Sequence, residues 1–252
     1  MRPRIFISKM LIRVGKFLES LPIVVMRPGD LMEYGCRSYD KSRSCNLEIE
    51  PGLSELEQGL LKEMEPLKGR LLLLGIGGGR EAIPLAQMGY DVVGVDYIEA
   101  LAGAAKRNAG RYGVKLETIV GDFTELKFRA QSFDVIWLSS GLYSSIPTRK
   151  RRRLLLQKLS GYLKPGGQFA GFFHYQEVPS GLQWRLRKLM AYIFLGNTGY
   201  EKGDMLWLNL EFMHAFEKEE ELGEEISGLG LKLERCDFEK EGFLGAMLLS
   251  KV

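Results

Sequence analysis

The segment 71–86 reads LLLLGIGGGREAIPLA, and this stretch decides the fold. Its leucines belong to an apolar run typical of a buried strand, and the residues after the glycines predict a helix that ends at Gly89. Between these elements, Gly75, Gly77 and Gly79 permit positive φ angles and close approach of a ligand to the backbone. Tight packing of a strand on a helix also selects glycine. The segment therefore predicts a ligand-binding turn, with packing as the alternative.

Strand and helix patterns alternate along the rest of the chain. Strands are predicted at 70–75, 91–96, 115–122, 133–138 and 168–173, and helices at 80–89, 98–111 and 150–163. A final helix and two strands close the chain. This alternation predicts a parallel α/β sheet with helices on both faces.

Two aspartates follow successive predicted strands. Asp96 ends the second strand, 17 residues after Gly79, where a carboxylate can accept hydrogen bonds from two ribose hydroxyls. Asp122 follows the third strand, placed to accept from the amino group of an adenine, with Phe123 near the ring. Helix capping and turn formation are the alternative roles. Together with the glycine turn, the series predicts an adenosine site.

The sequence resembles the class I S-adenosylmethionine-dependent methyltransferases through GIGGG, Asp96, the Gly121-Asp122 pair, FDVIWLSSG and LKPGG, in that order. The resemblance implies a seven-stranded, mostly parallel, doubly wound α/β sheet with an antiparallel last strand. It also implies S-adenosyl-L-methionine as cofactor and S-adenosyl-L-homocysteine as product. The residues expected to bind the cofactor are Gly75, Ile76, Gly77, Gly79, Asp96, Tyr97, Asp122, Phe123, Leu138 and Ser139.

Leu73 departs from the family pattern, which often has an acidic residue two positions before the first glycine of the turn. Without that carboxylate, we expect the cofactor's ammonium group to depend on backbone carbonyls of the turn and on the loop at Leu138 and Ser139. A dehydrogenase is the alternative for the glycine turn, but LKPGG and the GDF loop suit methyl transfer better.

Methyl transfer from a sulfonium needs mainly a well-positioned acceptor and the exclusion of water. A hydroxyl or amine acceptor must also lose a proton, and Tyr143 and His174 are the titratable residues nearest the strand ends that face the cofactor. Both are predicted catalytic residues, with a structural role as the alternative. The predicted reaction is methylation of an O or N atom of a small organic molecule.

The flanks of the motif region predict two further parts. Residues 1–66 form a helical extension that covers the active site, with a capping-box spacing at Ser54 and Glu57, and residues 67–252 form the Rossmann-like domain. An inserted helical and aromatic cap is expected at about 175–214. We expect Tyr34, Tyr39 and the aromatic residues from Trp184 to Trp207 to roof the acceptor pocket, with core packing or a dimer contact as alternatives.

The N-terminus predicts an amphipathic helix. Its apolar residues recur at helical spacing and its cations fall largely on other faces. Packing on its own domain is the favoured interpretation, and contact with a membrane surface is the alternative. Neither a secretion signal nor a membrane-spanning run is predicted.

The remaining composition predicts a cytoplasmic protein, either a monomer or a homodimer, without a metal. Three cysteines lack paired spacing and only two histidines are present. The net charge of +3 favours no nucleic-acid partner, and the run Arg149, Lys150, Arg151, Arg152 and Arg153 is interpreted as solvated helix charge. Two functional alternatives stay open. One is an RNA or protein methyltransferase that docks through this run, and the other is a non-catalytic adenosine-nucleoside-binding protein.

Overall fold

The computed structural model describes residues 3–19, 21–43, 47–64, 68–139, 141–176, 182–207, 211–239 and 242–252. The helices are α1 (Pro3–Glu19), α2 (Leu21–Val25), α3 (Pro28–Arg43), α4 (Glu55–Lys62), α5 (Ala82–Gln87), α6 (Glu99–Arg111), α7 (Arg149–Tyr162), α8 (Leu182–Ile193) and α9 (Glu219–Ile226). The strands are β1 (Gly69–Leu74), β2 (Tyr90–Asp96), β3 (Glu117–Val120), β4 (Phe133–Leu138), β5 (Leu163–Tyr175), β6 (Asp204–Trp207), β7 (Glu211–Phe216), β8 (Leu231–Phe238) and β9 (Leu244–Lys251).

A central sheet in the order β3-β2-β1-β4-β5-β9-β8 organises the molecule. Strands β1 to β5 pair in parallel, and β9 runs antiparallel to both β5 and β8. The expected mostly parallel α/β sheet with an antiparallel last strand is confirmed. The sequence analysis did not predict the hairpin β6–β7. This hairpin extends the sheet, since β7 pairs with the end of β5.

The core lies on both faces of this sheet. Leu71 and Leu73 of β1 belong to one buried cluster, while Leu72 and Leu74 belong to the other. Successive side chains of a strand point to opposite faces, so a strand covered by helices on both sides reads as a continuous apolar run. The four consecutive leucines are therefore explained, and Leu73 is a core residue.

The predicted capping box at the start of α4 is confirmed. Ser54 Oγ accepts from the backbone N–H of Glu57, and the Glu57 carboxylate accepts from the N–H of Ser54 at 2.7 Å. Glu57 also forms a bidentate pair with Arg80, whose Nη1 donates to the carbonyl of Gly52. The helical extension is thus fastened directly to the residue that follows the glycine turn.

The predicted cap consists of one helix, α8, and the hairpin β6–β7. Ser144, in the loop after β4, fixes this hairpin to the sheet. Its Oγ accepts from the N–H of His174 on β5 at 2.7 Å, and its carbonyl accepts from the N–H of His214 on β7 at 2.8 Å. Ser144 therefore holds β5 and β7 in register at the carboxyl end of β4.

The cationic run at the start of α7 is solvated only in part. Lys150 and Arg151 are exposed as expected. Arg152 is instead fully buried and pairs with Glu225 and Glu201. Arg149 pairs with the exposed Glu224, and Arg153 donates to carbonyls at the end of α9. These partners lie on elements remote in sequence, so the local sequence gives no sign of them.

Helix α1 also differs from the favoured expectation. Its described apolar side chains, among them Met10, Leu11 and Leu18, are exposed and do not pack on the domain. In the described parts of the chain, no helix combines the length and apolarity needed to cross a membrane.

Candidate functional site

A cavity opens at the carboxyl ends of β1, β2 and β4, the edge at which open α/β sheets bind ligands. One end is lined by residues that follow these strands and β3, and the other end by α3 and β7. The residues at the first end are Gly75, Asp96, Tyr97, Asp122, Phe123 and Ser139, together with Leu142 and Ile146 of the loop after β4, and those at the second end are Leu31, Met32, Phe212 and Met213.

Glycine is required at the three positions of the turn for different physical reasons. All have positive φ, at +80° for Gly75, +52° for Gly77 and +96° for Gly79. A Cβ on Gly79 would lie 3.3 Å from Ala105 Cα, so packing against α6 explains this glycine. Gly75 lines the cavity, and a Cβ there would also lie 3.1 Å from Leu142 Cδ2, whereas nothing lies within 4 Å of a Cβ on Gly77. The packing alternative therefore fits Gly79, both interpretations fit Gly75, and Gly77 leaves open space for a ligand.

Asp96 lies at the cavity with both carboxylate oxygens oriented by backbone donors. Oδ2 accepts from the N–H of Gly77 at 2.9 Å, and Oδ1 accepts from the N–H of Ile98 at 3.0 Å. Burial raises the pKa of this carboxyl, and the backbone hydrogen bonds oppose that effect. Because each carboxylate oxygen has two lone pairs, Asp96 retains acceptor capacity for ligand hydroxyls.

Asp122 combines the two roles that its sequence position left open. Its Oδ1 accepts from the N–H and from the hydroxyl of Thr124, both at 2.7 Å, which forms the turn after β3. Asp122 and Phe123 also line the cavity. The loop is therefore ordered by its own aspartate while it presents that residue to a ligand.

Four of the ten residues expected at the cofactor do not line the cavity, namely Ile76, Gly77, Gly79 and Leu138. The Ile76 side chain is buried against Gly94, where a Cβ would lie 2.0 Å from Ile76 Cδ1. Leu138 is fully buried in the core. Only the backbone of Ile76 or Leu138 remains for a ligand contact, whereas Tyr97 and Ser139 line the cavity as expected.

Glu81 is a residue of this site that sequence reasoning missed. Its side chain is buried, Ser139 Oγ donates to its Oε2 at 2.6 Å, and Arg80 Nη2 lies 2.9 Å from its Oε1. Burial and the neighbouring Glu57 raise the pKa of Glu81 to about 8. The only local signal was a carboxylate directly after the glycine turn, since its contact with Ser139 spans 58 positions.

The apolar end of the cavity corrects the expected aromatic roof. Leu31 and Met32 of α3 lie opposite Phe212 and Met213 of β7. Tyr34 and the aromatic residues from Trp184 to Trp207 do not line it, and the side chain of Tyr39 lies outside the described residues. The expected roof position is therefore occupied mainly by aliphatic and thioether side chains.

His174 lies against the wall of this apolar end. A Cβ placed on Gly141, which lines the cavity, would be 3.3 Å from His174 Nε2 and 3.6 Å from Met213 Cε. The imidazole packs on Trp207 with ring centroids 5.1 Å apart, and burial lowers its pKa. The neutral form that can accept a proton is therefore favoured.

Tyr143 is placed away from the cavity, which argues against the expected catalytic role. Its side chain is fully buried, and its hydroxyl donates to Glu225 Oε2 in a short hydrogen bond. Burial, with the Glu225 charge, raises its pKa well above the ordinary value. Its ring stacks on Phe216. Tyr143 therefore belongs to the buried network around Arg152.

The same network contains the carboxylates Glu201 and Asp204 beside His214, with ligand-type atoms within 4.8 Å of one another. Arg152 Nη2 lies 2.7 Å from Glu201 Oε2, and His214 Nδ1 lies 2.8 Å from Asp204 Oδ1. The guanidinium already supplies positive charge here. This group fits a buried ion-pair network, and the absence of a metal stays a prediction.

Comparison with known proteins identifies the central part of the chain. Residues 72–171 match the family model of a methyltransferase domain. A structure from Methanosarcina mazei described as a SAM-dependent methyltransferase superposes with a TM-score of 0.58 at 23% identity, covering 79% of this chain and 98% of that one. A methyltransferase from Clostridium acetobutylicum gives 0.54 at 16% identity, covering 72% and 83%. The fold class is confirmed, and the matched family model shows similarity to a methyltransferase domain over residues 72–171.

Relatives by sequence are similar over a shorter stretch. A ubiquinone biosynthesis O-methyltransferase of Azorhizobium caulinodans is 40% identical over 76 residues, 30% of each chain. A demethylmenaquinone methyltransferase of Clavibacter sepedonicus is 32% identical over 108 residues, 42% of each chain. The matches thus span less than half the length of these relatives. S-adenosylmethionine is the cofactor that the description of the Methanosarcina mazei structure names.

The residues present fit this cofactor. Asp96 offers acceptors for ribose hydroxyls, and open space over Gly77 allows close approach to the backbone. Leu73 leaves the usual acidic position without a charge, but Glu81 brings a carboxyl to Ser139 at the cavity wall. The carboxyl of Glu81, which its raised pKa keeps largely protonated at neutral pH, therefore gives an ammonium group an oxygen acceptor near the site despite the departure at Leu73.

Proposed function

We propose that this chain is an S-adenosylmethionine-dependent methyltransferase that acts on an O or N atom of a small, largely apolar organic molecule. The observation that carries the proposal is the two-ended cavity. Its polar end presents Asp96, Asp122 and the glycine turn, and its apolar end lies beside the neutral imidazole of His174. An apolar pocket with a few oriented polar groups is typical of small-molecule sites.

When bound, the cofactor supplies a methyl group on a positively charged sulfur. The chain's own residues then have distinct tasks. Asp96 would accept hydrogen bonds from ribose hydroxyls, and the carboxyl of Glu81 and the hydroxyl of Ser139 would offer acceptors near the ammonium end. The side chains of α3 and β7 exclude water from the acceptor, and His174 Nε2 takes the proton that the acceptor loses.

Within this proposal, the acceptor is a hydroxylated ring related to quinones. The names of the sequence relatives concern ubiquinone and demethylmenaquinone. The apolar end offers Met32, Phe212 and Met213 to the faces of such a ring, and methionine and aromatic side chains pack well on planar apolar groups. A hydroxyl on the ring would give His174 a proton to remove.

The contacts of the Arg149–Arg153 run argue against docking of RNA or protein through these residues. Arg149, Arg152 and Arg153 are already engaged by carboxylates and carbonyls of the same chain. We retain a cytoplasmic location and a monomeric or homodimeric state as parts of the proposal. A non-catalytic nucleoside-binding protein stays as the alternative that a turnover measurement must exclude.

The test combines binding with turnover on the full chain. Calorimetry with S-adenosylmethionine and S-adenosylhomocysteine measures cofactor binding, and transfer of a labelled methyl group to catechols and hydroquinones measures activity. We expect both cofactor forms to bind and label to appear on the ring acceptors. Binding without transfer to any acceptor would favour the non-catalytic alternative, and no binding would contradict the proposal as a whole.

A further inference from the structure

Helices α1 and α8 expose apolar side chains that the methyl-transfer site does not use. On α1, Ile7, Met10, Leu11, Val14 and Leu18 recur at helical spacing on one stripe, and all of them are exposed. On α8, Leu186, Leu189 and Ile193 form a second exposed stripe with the same spacing. Contiguous exposed apolar surface on a folded chain marks an interaction site.

Exposed apolar side chains are most closely spaced at the end of α8. Residues 192–195 have the sequence Tyr-Ile-Phe-Leu and are 55%, 66%, 55% and 71% exposed, and we call them the apolar tip. Leu195 has a φ of +50°, a conformation that is strained for a side chain of this size. Four consecutive large apolar residues on a surface are unfavourable in water unless another phase or molecule covers them.

The apolar tip is held against α2. A Cβ on Gly196 would lie 2.2 Å from the Val24 carbonyl oxygen, so only glycine permits this approach. The N–H of Asn197 donates to the same carbonyl at 2.9 Å. Val25, the last residue of α2, is 50% exposed beside the tip, and α2 also contacts α1. The α8 stripe, Val25 and the tip therefore adjoin one another, and α1 leads into them through α2; we call these elements together the basic apolar face.

The net charge of this face is opposite in sign to that of the rest of the chain. Residues 1–18 contain five Lys or Arg, and residues 182–200 contain three, with no Asp or Glu in either segment. The remainder of the chain then has 27 cations and 32 carboxylates, so a small net charge of +3 conceals a strong asymmetry. Arg185 is exposed on α8, and Lys188 lies over the ring of Trp184 at 5.2 Å.

We propose that the basic apolar face docks this protein onto the surface of an anionic phospholipid membrane. Apolar side chains flanked by Lys and Arg, with aromatic residues near the boundary, are the features by which helices lie in a lipid interface. Anionic headgroups complement the cations. A second copy of the chain fits this face poorly, because a twofold contact would bring like charges together.

Docking at this face would place the apolar end of the cavity near the lipid. Ile23 and Val24 of α2 and Ala191 of α8 share one buried cluster with Leu31 and Phe212, which line the cavity. An acceptor dissolved in the membrane would therefore have a short route to the site. This last link rests on the proposed function, whereas the docking itself does not.

The test is co-sedimentation of the full chain with vesicles of phosphatidylcholine alone or mixed with phosphatidylglycerol. The triple variant I193S/F194S/L195S removes the apolar tip, and Arg185→Gln removes one exposed cation. Leu154→Ser is the matched control, since Leu154 is 54% exposed on α7. We expect tighter binding to the mixed vesicles that weakens with salt, a loss of about tenfold or more in the triple variant and a smaller loss in Arg185→Gln.

Several outcomes would overturn the proposal. These are no binding of the native chain to the mixed vesicles, equal binding of the native chain and the triple variant, or a soluble polyglutamate that binds as tightly as the vesicles. A dimer in sedimentation velocity that the triple variant makes monomeric would assign the face to a second copy. Cofactor affinity, measured by calorimetry, verifies that the variants are folded. Methyl transfer to a water-soluble acceptor tests the proposed function separately.

Discussion

The two ends of the cavity are built in different ways. The cofactor end uses residues that follow β1, β2 and β3 directly, with Gly75, Asp96 and Asp122 fixed by short backbone hydrogen bonds. The acceptor end joins α3 to β7, elements that lie 168 residues apart at the closest, between Arg43 and Glu211. The first end is local to the sheet edge, and the second depends on long-range packing.

This difference shows how a common cofactor and a particular acceptor are accommodated on one sheet. Backbone N–H groups at the ends of parallel strands are positioned by the sheet itself. Side chains at the acceptor end are positioned by the loop 141–146 and by the buried network of Tyr143, Arg152 and Glu225. Substitutions at one end should therefore change cofactor affinity, and substitutions at the other end should change acceptor KM or kcat.

His174→Gln should reduce kcat by about 10²–10⁴-fold, because an acceptor with a proton to lose would lack its base. Cofactor affinity should stay unchanged, since His174 lies at the acceptor end. In the native chain, the neutral imidazole is the active form and burial lowers its pKa below 6.5. The rate should therefore rise with pH at acidic values and level off near neutrality. An equal loss of cofactor binding would break the distinction between the two ends.

Arg152→Met should lower the free energy of unfolding by about 3–5 kcal/mol, because it leaves the carboxylate of Glu225 buried without its partner. Urea denaturation measures this change. Arg149→Met is the matched control, since its pair with Glu224 is exposed and should contribute less than about 1 kcal/mol. Similar losses in the free energy of unfolding for the two variants would contradict a stabilising role of the buried network.

Asp96→Ala should weaken cofactor binding by roughly 1–3 kcal/mol, because ribose hydroxyls would lose their acceptor. Calorimetry measures the change, and acceptor KM at saturating cofactor should alter little. Asp91→Ala, an exposed aspartate on the same strand, should leave affinity unaffected. An unchanged affinity in Asp96→Ala would remove this residue from the site.

Met32→Ala should raise the acceptor KM by about tenfold, since removal of apolar groups from a small-molecule pocket has effects of this size. Cofactor affinity should not change, because Met32 lies on α3 at the far end of the cavity. Met88→Ala, at an exposed methionine that directly follows α5, is the control and should leave the acceptor KM unchanged. A loss of cofactor affinity in Met32→Ala would show that the two ends are not independent.

Glu81→Gln should change the pH dependence of stability by about 1 kcal/mol per pH unit. The folded chain holds the Glu81 proton more tightly than the unfolded chain, with a pKa of about 8 against 4.5. This stabilisation is complete below pH 4.5 and is lost as pH rises through about 8. Unfolding measured without cofactor should therefore show a shallower decline in the variant. An identical decline would mean that Glu81 is charged at neutral pH.

The sequence predicted the elements that depend on local patterns. The bounds of β4 matched the pattern at 133–138, and the capping box at Ser54 and Glu57 is present. Such features depend on residues within a few positions of one another, so a single stretch of sequence contains the information. Asp122 was placed at the site for the same reason, because it follows a recognisable strand.

Long-range contacts account for the residues that lie elsewhere than the sequence predicted. Tyr143 and Leu142 are adjacent, yet Leu142 lines the cavity while Tyr143 points to Glu225. The loop after β4 has no repeating pattern that would assign these directions. Arg152 looked like one of five solvated cations, and Glu201 and Glu225, more than 48 positions away, draw it into the interior.

The sequence by itself determined the doubly wound sheet, the glycine turn and the aspartates of the cofactor end, because strand periodicity, glycine φ preferences and residue order are local properties. Only the folded chain shows which residues meet at the acceptor end, where packing requires glycine, and that Glu81 brings a carboxyl to Ser139 at the cavity wall. Each of these depends on distances between segments remote in sequence, and those distances are set by the packing of the whole chain.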